Sequence, residues 1–338
     1  MLIVRPSTFS DLASIEKLAN HNSAKISTLP QQRDKLSEKI DASTRSFAAD
    51  ESMEGKEQFL LVMENSETGE VLGTAGIDRC AGNGQPFYNY RQDELIHSSH
   101  QLHVNNHIPV LYMTHELTGK TLFCSLSIDS KYRNTDYFEL LSRSRLLLIG
   151  LFKERFDEDI IIEIQGVSDE DGGYPFWDSL GRHFFDMDFA TADYYSGIKS
   201  KTFIAELMPS HPIYVPLLSE EAQTVVGRPN ALAEKNCQLL HREGFRVGKH
   251  IDIFDGGPTL EAHVNHLNTV KSMQSKSTKV SESTRGGVKY LICNGSFSDF
   301  RCVVGQLTDG IGDVIRINQT LAKDLNVSEN ECITFAAL

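Results

Sequence analysis

Positive charge is scarce in this sequence: 33 Lys and Arg stand against 46 Asp and Glu, a formal net charge of −13 over 338 residues. Such a surface repels a phosphate backbone, which excludes nucleic acid as a partner. Any anionic ligand would need locally placed basic side chains or free backbone N–H groups. Paired cysteines are missing too. The six, at 80, 124, 237, 293, 302 and 332, are scattered and form no CxxC, so reduced thiols are expected, with neither a disulfide framework nor a metal site. No apolar run reaches membrane-spanning length, and the opening MLIVRPSTFSDL lacks the apolar stretch of a secretory leader. Both point to a cytoplasmic chain with no membrane contact. What is present, 40% hydrophobic and 23% charged residues, suffices for one large domain or two medium ones with a buried core.

Residues 2–4 read as a short strand broken at Arg5-Pro6, after which Ser10 or Asp11 caps a helix with Leu12, Ile15 and Leu18 on one face. From 58 to 77, two β-rich runs flank a polar stretch containing Gly69, the pattern of a hairpin. Residues 81–119, rich in Asn, His and Gly, imply a long insertion or irregular strands. TLFCSLSID (121–129) reads as a buried strand, 138–156 as a long amphipathic helix and 160–164 as another strand. A helix around 176–185, a strand at 202–207, helices near 219–226 and 231–243, and a strand at 250–254 complete a mixed α/β pattern. The Ser/Thr/Lys-rich stretch 271–286 reads as a linker, and the short β runs beyond it as a small barrel or sandwich. The expected division is 1–270, a linker at 271–286, and a β-barrel module at 287–338.

The strand at 121–129 running into the helix is the most acyltransferase-like part, because a strand, a turn and a helix start offer free N–H groups to a pyrophosphate. GNAT-type acyltransferases carry Arg/Gln-x-x-Gly-x-Gly/Ala there. This sequence reads Arg133-Asn134-Thr135-Asp136-Tyr137-Phe138, so only the arginine matches. Asp136 adds charge repulsion and Phe138 adds bulk where glycines are wanted.

The blocks PFWDSLGRHFFDMDF (175–189), KTFIAELMPSHPIYVPLL (201–218) and EGFRVGKHIDIFDGGPTLEA (243–262) closely resemble the arginine N-succinyltransferase family, over nearly the whole chain. Within it the alpha-chain branch of the two-subunit arginine/ornithine enzymes looks nearest. The resemblance implies a GNAT-like acyl-CoA N-acyltransferase fold, class α/β (α+β), and transfer of succinyl from succinyl-CoA to the α-amino group of L-arginine, with ornithine as the other candidate. It also implies a homologous partner subunit. It carries succinyl-CoA contact to Leu126 and the adjoining Ser127, beside Arg133. The family's proton-donating histidine lies in Gly-x-x-His-Pro, but this chain reads Gly227-Arg228-Pro229-Asn230-Ala231. An amide at Asn230 can donate a hydrogen bond but cannot deliver a proton. Substitute carriers within the same blocks are His211, Tyr214 and His241. His183 and Cys237 read as packed helix residues. A guanidinium calls for carboxylates, and Asp252, Asp255, Glu261 and Glu206 are the candidates. The alternative for Asp255-Gly256-Gly257-Pro258 is a tight turn in which the aspartate caps backbone groups. Set against the enzyme reading is a non-catalytic, structural or arginine-binding subunit, favoured by the missing loop glycines and histidine.

Overall fold

The computed structural model describes residues 1–21, 28–49, 55–169, 171–198, 202–281, 287–307 and 312–338. They form two compact units: one of Met1–Cys80, Thr121–Asp159 and His263–Leu338, the other of Ala81–Lys120 and Ile160–Ala262. Neither unit corresponds to a division at residue 270.

In the first unit the strand Leu2–Pro6 pairs antiparallel with Gln58–Asn65, Val4 opposite Met63. Gln58–Asn65 and Val71–Asp78 form the expected hairpin, and Thr121–Ile128 pairs antiparallel with the latter. Helices Leu12–His21 and Arg33–Ala48 lay Ile15, Ala19, Leu36 and Ile40 on Leu60, Val62 and Val71. The i, i+4 spacing on each helix meets alternate residues of the strand. The cap is Thr8, ahead of Ser10 and Asp11: its N–H donates to Asp11 Oδ2 at 2.8 Å, and a 3-10 turn, Phe9–Asp11, leads into the helix. Every residue of helix Asp136–Leu151 from Leu140 to Ile149 is buried. That helix is therefore enclosed on all sides rather than amphipathic.

The C-terminal strands do not make a separate barrel. Cys302–Leu307 pairs with Leu2–Pro6, Ile3 opposite Val303, so the sheet stays open and continues into the N-terminal strands. Ile3 accordingly shares one core with Ile292, Val303, Ile317, Leu325 and Phe335. The linker reading also needs correction. Gln274–Ser281 is a strand, parallel to Val314–Asn318 and antiparallel to Cys332–Ala337. Its Ser/Thr/Lys composition hid it, because ladder hydrogen bonds on both edges and the fully buried Thr278 hold it in place of apolar side chains. Of the rest of that stretch, Lys271 and Ser272 end the helix Asn268–Ser272 and Met273 follows it, while 282–286 lie outside the described residues.

In the second unit the strand order is Asp159–Glu163, Pro258–His263, Arg246–Asp252, Asn89–Ser99, Val104–Thr114 and Ile213–Tyr214. The supposed insertion at 81–119 contains a regular hairpin, paired from Asn89–Thr114 to Ser99–Val104. Residues 202–207 are a helix, Thr202–Leu207, not a strand. Ile204 and Met208 are its buried contacts, four apart as a helical face requires. They join Tyr90, Phe176, Trp177, Phe185 and Phe254 in the core of this unit. Trp177, the single tryptophan, is buried with its indole N–H donating to the Met187 carbonyl at 3.2 Å.

Candidate functional site

The residues singled out from the sequence fall into two groups. Leu126, Ser127 and Arg133 belong to the first unit, and Glu206, His211, Tyr214, Asn230, Asp252, Asp255 and Glu261 to the second.

On Thr121–Ile128, Ser127 lies opposite Thr74 and Cys124 opposite Gly76, which leaves Ser125 and Leu126 together against Ala75. This is a β-bulge, which bends a strand and re-aims its side chains. Ser125 adopts φ 51° in a buried strand, a left-handed conformation costing a residue with a side chain on the order of 1 kcal/mol or more. Three hydrogen bonds hold it. The Ser125 N–H donates to Thr28 Oγ1 at 2.8 Å, its Oγ donates to the Thr28 carbonyl at 2.6 Å, and its own carbonyl accepts from Thr74 Oγ1 at 2.8 Å. Gly76 permits the close approach, since a Cβ there would lie 2.8 Å from Cys124 Sγ. Burial pushes the Cys124 thiol up to about 11, so it is no nucleophile at neutral pH. Leu126, next in the bulge, is half-buried, and Ser127 is buried.

The strand ends at Asp129, whose side chain caps the 3-10 turn Ser130–Tyr132. Thr135 then caps the long helix, its Oγ1 accepting from Tyr137 N–H at 3.3 Å and its carbonyl from Phe138 N–H at 3.1 Å. Two of the amides that a phosphate would seek are thus already engaged. Asp136, at the first helical position, is paired with Lys289 at 2.6 Å. Phe138 is buried in the core, so the bulk expected in a phosphate loop is turned inward. Asp136 and Glu139 are the acidic residues of the helix's first turn and oppose an anion here. Arg133 is half-buried, and Lys131 lies over the Tyr132 ring at 4.9 Å.

In the second unit Asn230 occupies the position of the family histidine, and its side chain is fully engaged in local structure. Oδ1 accepts from Leu232 N–H at 2.9 Å, capping the turn Ala231–Ala233, while Nδ2 donates to Ser168 Oγ at 3.1 Å. The Gly166 and Pro229 segments meet in a β-bridge beside it. Asp255 reaches the same place: Oδ2 accepts from Gly166 N–H and Oδ1 from Gly257 N–H, both at 2.8 Å. Burial, with Asp252 beside it, pushes the Asp255 carboxyl well above the ordinary carboxylate range. Asp252 Oδ1 accepts from Phe254 and Asp255 N–H at 2.7 and 2.8 Å. The IDIFDGGP segment is therefore the aspartate-held turn, with each Asp255 oxygen accepting from a backbone amide. Gly166 and Gly257 are required by contact, since a Cβ would lie 2.3 Å from the Asp255 carbonyl at the first and 2.1 Å from the Ile164 carbonyl at the second.

Glu261 belongs to a different constellation. His250, buried within its strand, faces Glu261 through Nδ1 and Glu116 through Nε2, each at 3.2 Å, and Glu116 pairs with Arg91 at 2.6 Å. Hydrogen bonding to Glu261, and then to Glu116, raises the His250 pKa above its ordinary value despite burial. Sequence reading passed over His250 because HIDIF appeared only as a strand. Nothing in the sequence marks the partner on the distant Glu116. Glu206 and His211 are exposed, and Tyr214 is half-buried with its ring edge-on to His97 at 6.2 Å. His241 points its Nδ1 at the Phe245 carbonyl at 3.0 Å, at the end of its own helix.

Comparison with known proteins adds a consistent set of likenesses. The profile of the arginine N-succinyltransferase beta subunit family matches residues 2–269, and that of its C-terminal domain residues 274–337. The chain is 39% identical over 338 residues to arginine N-succinyltransferase subunit alpha of Pseudomonas aeruginosa, covering all of both. It is 38% identical over 307 residues to arginine N-succinyltransferase of Salmonella schwarzengrund, covering 90% of this chain and 88% of that one. Among solved structures, subunit AI of arginine/ornithine succinyltransferase from Pseudomonas aeruginosa superposes with TM-score 0.92 at 37% identity, covering 100% of this chain and 98% of that one.

Proposed function

The chain belongs to the arginine N-succinyltransferase family, and from that premise we infer that it is an acyltransferase moving the succinyl group of succinyl-CoA to the α-amino group of L-arginine, with ornithine as the other acceptor. The observation that carries the reading at the level of geometry is the bulge on Thr121–Ile128, a strained turn of backbone held by three hydrogen bonds immediately before a capped helix. Strain of that kind persists where the surroundings over-determine it, and it clusters at ligand-binding positions. We read the fold as GNAT-like, supported by the antiparallel run Leu2–Pro6, Gln58–Asn65, Val71–Asp78 and Thr121–Ile128 followed by the long helix. Succinyl-CoA is then placed along Leu126 and Ser127, with Arg133 toward its phosphates.

The reaction asks little of a proton donor. The free amine attacks the thioester carbonyl, an oxyanion forms, the nitrogen gives up one proton to a nearby carrier or water, and as the carbonyl re-forms coenzyme A leaves as a thiolate stable enough to depart without protonation. Holding amine and thioester together supplies much of the rate. His211 and Tyr214 are the proton carriers we assign, since Asn230 is a capping residue here. Glu206 and Glu261 are the carboxylates assigned to the guanidinium, with Asp252 in support. A homologous partner chain is supported by the alpha-subunit name of the Pseudomonas relative.

Two observations favour the non-catalytic reading: Asn230 and the occupied amides at the helix start both remove groups that a self-sufficient enzyme would use. Following thiol release from succinyl-CoA with and without L-arginine, for the chain alone and for the chain mixed with a homologous partner, separates the two. Arginine-dependent release by the chain alone supports the enzyme; release only by the partner, unchanged when this chain is added, refutes it.

A further inference from the structure

Two arginines of helix Asp136–Leu151 are buried, and they differ in what answers their charge. Arg143 donates to Glu139 at 3.1 Å, to Thr269 Oγ1 and to the Ala337 carbonyl. Arg145 is 0% exposed. Its Nε donates to the Ser142 carbonyl and its Nη2 to Ser142 Oγ, both at 3.1 Å, whereas Nη1 has no hydrogen-bond partner among the described residues. Burial pushes this guanidinium down only to about 10, so it is a cation at neutral pH, and the titratable group acting on it is the Cys124 thiol, itself uncharged there. An enclosed charge without a counter-ion is costly, and folded chains otherwise pair such groups. The Phe123 ring, 4.2 Å from the guanidinium carbon, offsets part of that cost but supplies no acceptor for Nη1.

The bulged strand locates that unpaired N–H. A Cβ on Gly73 would lie 2.7 Å from Leu141 and 2.9 Å from the Ser127 carbonyl, so Leu141 marks where the helix passes the end of Thr121–Ile128. Arg145 follows one turn later and reaches Phe123. Helix and strand therefore run in opposite directions, and Arg145 lies beyond the bulge, toward the start of the strand. Cys124 is two residues from the half-buried Leu126, roughly 7 Å along the strand. A succinyl chain with its thioester at Leu126 spans that distance with its free carboxylate, once a charge-assisted hydrogen bond of about 2.8 Å to the guanidinium is added. The sign of the charge agrees. Lys39, Asp78 and Arg145 all act on Cys124, two cations against one carboxylate, and one further carboxylate balances them.

We propose that Arg145 recognises the free carboxylate of the succinyl chain through Nη1, and so selects a dicarboxylic acyl donor over an uncharged one. The proposal rests on the placement of succinyl-CoA along Leu126 and Ser127. A carboxylate that reaches Nη1 is drawn out of water, where its attraction to the guanidinium is strongest. Arg145 is in this account a binding residue for the acyl chain and takes no part in proton transfer.

Calorimetric titration of the full chain with succinyl-CoA and with butyryl-CoA, which has the same acyl length but no free carboxylate, tests this. The wild-type chain is expected to bind succinyl-CoA about 100-fold more tightly, within the range for truncating one member of a buried charge pair. Arg145→Met keeps an apolar stem and removes the charge. It is expected to abolish the preference by weakening succinyl-CoA while leaving butyryl-CoA unchanged, and its Tm without ligand is expected to be no lower than that of the wild type. Where Arg145→Met does not fold, Arg145→Lys serves, because a shorter cation without the forked donors is expected to cut the preference about tenfold. A wild type that binds both esters equally, or a preference that survives these substitutions intact, overturns the proposal and leaves the succinyl-CoA placement standing. Binding of neither ester by the wild type refutes that placement itself, and the proposal with it.

Discussion

At the scale of single residues, the polar side chains that looked catalytic in the sequence divide by what already occupies their atoms. Asn230 caps Leu232 and holds Ser168, so Asn230→Ala is expected to lower stability by about 1 kcal/mol, as for other lost caps, while kcat changes less than tenfold. Chemical denaturation and steady-state kinetics on the same preparation check both parts. An isolated asparagine in a Gly-x-x-x-x segment carries no sign of this, because its partner Ser168 is far away in sequence. His250 gives a pH prediction. Its folded pKa is raised, first by Glu261, so its contribution to stability is full below the ordinary imidazole value of about 6.5 and is lost as pH rises through the raised value. Tm of the wild type is therefore expected to fall across that window more steeply than Tm of His250→Gln; parallel curves would contradict it. Gly257→Ala must displace the Ile164 carbonyl. It is expected to cost on the order of 1–3 kcal/mol, within the overpacking range, by the same denaturation measurement.

At the scale of elements, apolar periodicity located most helices and buried strands, and failed where something else holds the backbone. Ile15 and Leu36–Ile40 gave their helices away, and Leu60 and Val62 their strand. Gln274–Ser281 did not, because it is a polar strand paired on both edges. Lys276 and Lys279 sit in that paired backbone, so trypsin under native conditions is expected to spare both; early cleavage at either would restore the linker reading. The bulge was invisible for a related reason. A positive φ at Ser125 is imposed by Thr28 and Thr74, residues 97 and 51 positions away. Thr28→Val keeps the shape but removes the acceptor for Ser125 N–H. It is expected to reduce kcat/KM for succinyl-CoA about tenfold, the rate worth of one misplaced contact of about 1.4 kcal/mol. Circular dichroism is expected to stay unchanged. Unaltered kinetics would remove the bulge from the site.

At the scale of the whole molecule, the alternation of helices and strands was enough to give a mixed α/β class, and the scattered cysteines among the described residues are free thiols. No helix among the described residues is long and apolar enough to cross a membrane. The partition into units was not legible, because segments 1–80, 121–159 and 263–338 assemble from distant parts of the chain, with the pairing of Leu2–Pro6 and Cys302–Leu307 joining N-terminal to C-terminal strands. Family membership, in contrast, was readable from three sequence blocks and agrees with the full-length identity and the superposition. The most direct measurement is mass spectrometry of the product formed by the purified chain from isotopically labelled succinyl-CoA and L-arginine, with released coenzyme A counted in parallel. One labelled succinyl group on the α-amino nitrogen for each coenzyme A released is the expected result, whereas coenzyme A released at the same rate without arginine, or no succinylarginine at all, would contradict it.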